Sequence, residues 1–134
     1  AQPHGPYGLH LGGVDTDRIQ ALWDYQRSEL FDAADRAALD FALASGSMPN
    51  SVRPEHFDAL RIHFSDRQVT ELLAVVSLGG FLNRYSDSLA VVTDEESVVW
   101  ARQHLEMLGW DIGKHVGAES EQRPMHPARL HGGS

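Results

Sequence analysis

The chain of 134 residues contains no cysteine. This absence excludes disulfides, thiolate zinc sites and every cysteine nucleophile, because each of them requires a thiol. Basic residues are also few, since 11 Lys and Arg stand against 19 Asp and Glu, which gives a formal net charge of -8. A surface that binds nucleic acid or an anionic membrane needs clustered basic residues, so we expect neither partner.

Long apolar runs and ligand-binding motifs are missing as well. No apolar run approaches the roughly 20 residues of a membrane span. No charged and apolar leader opens the sequence, so a cytoplasmic location is expected. The eight histidines form no His-x-x-x-His pair, and there is no glycine-rich phosphate loop or Gly-x-Ser-x-Gly motif. We therefore expect no metal site and no cofactor.

The stretch 65–89 is the most apolar part of the chain and predicts its central helix. Ser65 and Gln68 have the spacing of a capping box, in which each side chain binds a backbone N–H at the start of a helix. Apolar residues occur on every face of the predicted helix over 66–89, which indicates burial on all sides. A chain of this length has a modest core, so the sequence predicts one domain that self-associates.

Start and stop signals predict four more helices. Asp15 begins a helix over 16–29, Asp32 with Asp35 begins one that ends at Gly46, Pro54 opens one through residue 64, and Thr93 with Glu96 begins one that Gly109 ends near residue 108. The signals are N-cap residues, a proline at the first helical position and glycines after the last turn. Because no alternating strand pattern occurs, the predicted fold class is all-α, a helical-hairpin bundle of about five helices.

The two ends of the chain have no such pattern. Residues 1–13 hold several glycines and prolines and predict a flexible arm without a regular element. Residues 117–134 are polar and predict a flexible tail. The folded domain is therefore expected over 14–116.

The second half of the central helix carries the candidate binding residues. Gly79 and Gly80 each cost about 1 kcal/mol of helix propensity relative to Ala, and Asn83, Arg84 and Tyr85 follow. In one interpretation another helix crosses at the glycines, and Arg84 pairs with a carboxylate three residues later, Asp87. In the other, the glycines leave room for a ligand, Asn83 orients a carbonyl, and Arg84 binds a carboxylate at the mouth of a small pocket.

Three side chains are candidates for proton transfer. His63 lies in the last turn of its helix, where it either interacts with the helix dipole or serves as a general base, since histidine titrates near neutral pH. Glu71, near the start of the central helix, is either an exposed carboxylate that the dipole favours or a buried acid. Tyr85 is the third candidate, because it adjoins the binding residues.

Four segments together resemble the carboxymuconolactone decarboxylase and alkylhydroperoxidase D-like superfamily over about 14–116. They read RIQALWDYQRSELFDAADRAALDFALA, RPEHFDALRIHFSDRQVTELLAVV, FLNRYSDSLAV and GWDIGKH. The resemblance implies an all-α helical-hairpin bundle that assembles as a homotrimer or hexamer.

Peroxidatic members of that superfamily carry a Cys-x-x-Cys-x-x-x-His segment before the first of these four pieces, and this chain has none. The resemblance therefore implies either a cofactor-free lyase or isomerase that acts on a small carboxylated ring compound, or a catalytically silent oligomeric scaffold or fragment whose thiol segment is absent. In either case the chain as it stands is not expected to be a cysteine peroxidase.

Overall fold

A computed structural model describes residues 4–117, and within them the secondary structure is entirely helical. The helices are α1 (His4–Leu11), α2 (Thr16–Ala21), α3 (Ala33–Gly46), α4 (Pro54–His63), α5 (Asp66–Ser88) and α6 (Glu95–Leu105). The predicted all-α class is confirmed, with one helix more than the five expected. The predicted flexible tail lies outside the described residues except for Gly117.

Helix α1 occupies the segment for which no regular element was predicted, so that prediction is wrong. Its sequence is poor in helix formers, but Tyr7 packs against a cluster around α6, and the Tyr7 hydroxyl donates to Glu96 Oε2 at 3.3 Å. Short helices draw most of their stability from such tertiary packing. A reading of local composition therefore misses this helix.

Helix α2 is shorter than predicted, because the chain leaves the α-helix after Ala21 and forms a 3₁₀ turn over Leu22–Asp24. The segment after this turn is held by Arg36 of α3, whose guanidinium donates to Ser28 O at 2.8 Å and to Tyr25 O at 3.4 Å. The bond to Tyr25 O uses a carbonyl that the predicted helix would pair with the N–H of Glu29.

The starts of α3, α4 and α5 lie where the sequence places them. Asp32 and Asp35 form a capping box at α3, Pro54 is the first residue of α4, and Ser65 and Gln68 form the capping box of α5. Two details differ. Gly46 is the last helical residue of α3 rather than a left-handed cap, and α6 is capped by Asp94, whose side chain accepts from Ser97 N, instead of by the predicted Thr93.

The buried residues form two clusters. The α3 cluster joins α3, α4 and the first half of α5 and consists of Ala37, Phe41, Leu60 and Val69. The α6 cluster joins α1, α2 and α6 and consists of Ile19, Trp100, Ala101 and Leu105. Trp110 packs against the α6 cluster after the chain turns at Gly109, whose φ is +86°.

Helix α5 is not buried on all sides, which corrects the prediction for this helix. Val69 is its one buried residue among those described. Beyond the first turns the helix extends past the α3 cluster, so large apolar side chains of its second half remain in solvent. An apolar periodicity shows that a face is to be covered, but not whether the same chain covers it.

Candidate functional site

An open groove runs along the outer face of the second half of α5. It has a volume of about 450 Å³ and is lined by Ser77, Phe81, Arg84, Tyr85, Ser88 and Leu89. Most of these positions are three or four residues apart, so the helix periodicity alone places them on one face. Two of the predicted site residues, Arg84 and Tyr85, therefore lie together in one concave surface.

Arg84 is exposed in this groove and contacts a sulfur atom of the loop that follows α3. Its Nη2 lies 3.0 Å from Met48 Sδ, a weak acceptor. Among residues 4–117, no carboxylate lies within ion-pair distance of its guanidinium. The interpretation that pairs Arg84 with Asp87 is therefore wrong, and the guanidinium is available to a ligand.

Asp87 is instead bound by the segment that follows α6. Lys114 Nζ lies 3.1 Å from Asp87 Oδ2, and His115 Nε2 lies 3.4 Å from Asp87 Oδ1. The hydrogen bond from Lys114, with a smaller contribution from His115, holds the pKa of Asp87 below its ordinary value of 3.8. No local signal predicts this contact, because 27 residues separate Lys114 from Asp87.

Tyr85 supplies an aromatic surface and a hydroxyl. The residue is 59% exposed, and its ring stacks on that of Phe81, with centroids 6.1 Å apart and an angle of 25° between the planes. Asn83 does not join them, because successive helix residues differ by about 100° and two steps direct its side chain away from the groove. The structure thus separates Asn83 from the other two residues of the predicted cluster.

The remaining catalytic candidates lie far from Arg84 within one chain. His63 is the last residue of α4, and α5 begins three residues later at Asp66, which lies about 27 Å along the helix axis from Arg84. Glu71 is about 20 Å away by the same measure. Glu71 is exposed and pairs with Arg67 at 2.9 Å. It is therefore the exposed carboxylate that one of the two interpretations describes.

The ring of His63 lies near that of Phe64, with centroids 6.4 Å apart, and its charge acts on Asp32 at the start of α3. The pKa of Asp32 is lowered, chiefly by the hydrogen bond from Asp35 N and in smaller part by the charges of His63 and Arg18.

The glycines of α5 are not approached by any described part of the chain. A Cβ built at Gly79 or Gly80 would meet no heavy atom within 4 Å beyond the helix itself. The helix crossing that the sequence suggested is therefore absent within residues 4–117. Space remains beside the glycines for a ligand or for a second copy of the chain.

A second cleft of about 570 Å³ lies between α2 and α3 and was not predicted. Its arginine, Arg18, is already engaged, because it pairs with Asp35 at 2.8 Å and lies over the ring of Phe31 at 5.2 Å. This cleft offers a ligand an apolar wall but no unpaired guanidinium. The α5 groove is therefore the stronger candidate for binding an anion.

Two absences within residues 4–117 bear on the site. No group of three His, Asp or Glu side chains in this range is placed to hold a metal ion. No helix in the same range combines the length and apolarity needed to cross a membrane.

No family model matches the chain. Among curated proteins it is 29% identical over 76 residues to the uncharacterized protein YnjA of Escherichia coli (strain K12), a match that covers 57% of this chain and 42% of YnjA. The apo structure of the debrominase Bmp8 matches with 30% identity and a TM-score of 0.60 over 64% of this chain and 46% of Bmp8.

A cysteine-to-alanine variant of Bmp8 in complex with 2,3,4-tribromopyrrole matches with 29% identity and a TM-score of 0.62, over 71% of this chain and 49% of Bmp8. The matches thus span less than half the length of each relative. Bmp8 is a helical protein of the carboxymuconolactone decarboxylase and alkylhydroperoxidase D-like type, so the comparison supports the superfamily resemblance over the aligned residues. The described helices have the fold of that group.

Proposed function

We propose that the chain is a carboxymuconolactone decarboxylase-like protein that binds a small carboxylated ring compound in the α5 groove and acts on it as a cofactor-free lyase or isomerase. The observation that carries the proposal is the exposed guanidinium of Arg84, without a carboxylate partner among the described residues, beside the stacked rings of Phe81 and Tyr85. The ligand of the Bmp8 variant is also a small ring compound, which supports this class of molecule.

Each part of the groove has a chemical role in the proposal. The planar guanidinium of Arg84 binds a carboxylate through two parallel N–H bonds. The faces and edges of Phe81 and Tyr85 pack against an unsaturated ring. The Tyr85 hydroxyl lies beside both features and is the group that transfers a proton to or from the ring.

The proposal gives His63 and Glu71 no catalytic part within a single chain. His63 precedes the start of α5, which lies about 27 Å from Arg84 along the helix axis, and Glu71 lies about 20 Å from Arg84 along the same axis. Thiol peroxidase chemistry is not part of the proposal either, since the 134 residues include no cysteine. The proposal requires no metal or cofactor and assumes a cytoplasmic location.

A second candidate function is an oligomeric scaffold without catalysis. The observation that favours it is the row of large apolar side chains that α5 leaves in solvent, among them Leu78, Leu82 and Leu89. Such a row is typical of a protein interface. In this case Arg84 contributes to solubility or to assembly and binds no substrate.

The two functions are separated by turnover. Benzoate, furoate and a lactone carboxylate are incubated with the full chain, and consumption is followed by proton NMR. If the chain is catalytic, the wild-type protein should consume at least one of these ring carboxylates. The variant Tyr85→Phe, which keeps the aromatic ring but lacks the hydroxyl, should not consume it. Binding that shifts the melting temperature without any turnover would overturn the lyase or isomerase and leave the scaffold.

A further inference from the structure

A third cavity lies between α1 and the first turns of α6. Its volume is about 480 Å³, and its lining includes Tyr7, His10, Trp100, Glu95 and Glu96. This volume is within the usual range of small-molecule sites. The cavity, here called the α1–α6 pocket, shares no residue with the α5 groove, so the proposed function leaves it unused.

Three aromatic rings lie close together in the α1–α6 pocket. The centroids of Tyr7 and His10 are 6.5 Å apart, those of Tyr7 and Trp100 are 6.1 Å apart, and those of His10 and Trp100 are 5.4 Å apart. A point above this triangle can lie within about 6 Å of all three centroids, the distance over which an aromatic ring attracts a cation. One bound cation can therefore interact with several rings at once.

Trp100 is an unusual choice for its position in the core. It is 7% exposed, and its buried Nε1 has no hydrogen-bond partner among the described residues. A buried indole N–H ordinarily has a partner, and phenylalanine would fill a core position without leaving a donor unsatisfied. Tryptophan is, however, the side chain that interacts most strongly with cations. A cationic ligand therefore explains a residue that packing alone does not.

The charge of the α1–α6 pocket is negative. Glu95 and Glu96 are exposed in the first turn of α6, and within residues 4–117 neither forms an ion pair with Lys or Arg. No Lys or Arg is among the lining residues. Partial burial, and then the charge of Glu96, raise the pKa of Tyr7 above its ordinary value of 10.0. The carboxylates thus attract a cation to the aromatic rings and repel an anion.

We propose that the α1–α6 pocket binds a small organic cation that carries a quaternary ammonium group, of about the size of choline. The methyl groups of such a cation pack against Tyr7, His10 and Trp100, while its charge is attracted to the rings and to the two carboxylates. A metal ion fits less well, because no group of three His, Asp or Glu side chains in the described part of the chain is placed to hold one.

NMR titration of the full chain with choline tests the proposal. The reference ligand is the uncharged alcohol in which a carbon atom replaces the nitrogen of choline, since it has the same shape without the charge. The buffer is mildly alkaline, so that histidine side chains are uncharged and do not repel a cation. Choline should shift the resonances of Tyr7 and Trp100 and bind at least about tenfold more tightly than the alcohol. Equal affinity for the two ligands, or shifts confined to other parts of the chain, would overturn the proposal.

Two pairs of variants separate the rings from the carboxylates. Tyr7→Leu removes a ring and should raise the Kd of choline roughly threefold, whereas Tyr7→Phe keeps the ring and most of the affinity. Glu95→Gln should also raise the Kd roughly threefold. Glu106→Gln, an equal change of charge at an exposed position after α6, should not change it. The same Kd for both Tyr7 variants, or for both Gln variants, would contradict the assigned site.

Two further measurements identify the source of the cation and the independence of the site. Vesicles of phosphatidylcholine present the same ammonium group on a lipid, and sedimentation of the chain with them in the absence of choline binding would overturn a site for small molecules. Ring carboxylates, the ligands proposed for the α5 groove, should not displace choline. Displacement of choline by a ring carboxylate would show that the two ligands share one site and would overturn the assignment to the α1–α6 pocket.

Discussion

Lys114 Nζ lies 3.1 Å from Asp87 Oδ2 and joins the segment after α6 to the end of α5. The sequence suggested a different partner for Asp87, namely Arg84 one turn earlier on the same helix. Because Lys114 and His115 satisfy this carboxylate, Arg84 is left facing the groove with Met48 as its neighbour. The carboxylate one turn after the candidate binding residue is thus bound by a distant part of the chain.

The Asp87 contact predicts a specific dependence of stability on pH. A carboxyl group whose pKa is lowered in the folded state stabilises the fold above its unfolded value, here 3.8, and this stabilisation is lost as pH falls through the folded pKa. We expect Asp87→Asn to reduce the free energy of unfolding at neutral pH, and the difference from the wild-type chain to vanish in strong acid.

Urea titrations between about pH 2 and about pH 7 measure this difference, since the ordinary Asp pKa of 3.8 lies inside that window. Asp58→Asn, a change at an exposed position of α4, is the control and should have little effect at any pH. A constant deficit of Asp87→Asn down to the lowest pH would show that the carboxylate does not stabilise the fold through its charge.

Thr93 offers a prediction about buried polarity. It is 6% exposed, and its Oγ1 has no hydrogen-bond partner among the described residues. An unsatisfied buried hydroxyl costs about 1 to 3 kcal/mol, so Thr93→Val, which keeps the shape, should raise the free energy of unfolding by about 1 kcal/mol.

Chemical denaturation compares this variant with Thr70→Val. Thr70 is exposed and its Oγ1 donates to Asp66 O at 2.9 Å, so its replacement should give no gain. A loss of stability in Thr93→Val would mean that the hydroxyl is satisfied in solution.

Ser65 caps the longest helix, and its Oγ accepts from Gln68 N at 3.3 Å. Ser65→Ala removes this acceptor and should lower the free energy of unfolding by about 1 kcal/mol. Ser65→Asp supplies another good N-cap and should retain most of the stabilisation that the cap provides. Equal effects of the two substitutions in urea titrations would contradict the capping role.

Local chemistry explains why several helix boundaries could be predicted from the sequence. The side chains of Ser65, Asp32 and Pro54 act on backbone groups within a few residues, so their spacing alone is informative. Thr93 was misassigned by one residue because Asp94 and Ser97 provide the cap that forms. Helix α1 was missed because packing on Trp100 stabilises it.

The candidate site was predicted only in part, for a related reason. Arg84 and Tyr85 are neighbours in sequence and remain neighbours in the groove. The separation of Glu71 from them follows from the rise of the helix and was available from the sequence. The extent to which α5 is buried could not be predicted from the sequence, because an apolar face has the same periodicity whether its own chain or a second copy covers it.

The central claim is that Arg84 binds the carboxylate of a small ring compound. Calorimetric titration of the wild-type chain and of Arg84→Ala, each with a ring carboxylic acid and with its primary amide, tests it directly. Arg102→Ala on α6 serves as the matched control. A hydrogen bond to a charged group contributes about 1.5 to 3 kcal/mol, so we expect Arg84→Ala to raise the Kd of the acid at least tenfold and to leave the Kd of the amide nearly unchanged. An equal loss for acid and amide, or no loss for either, would contradict the account.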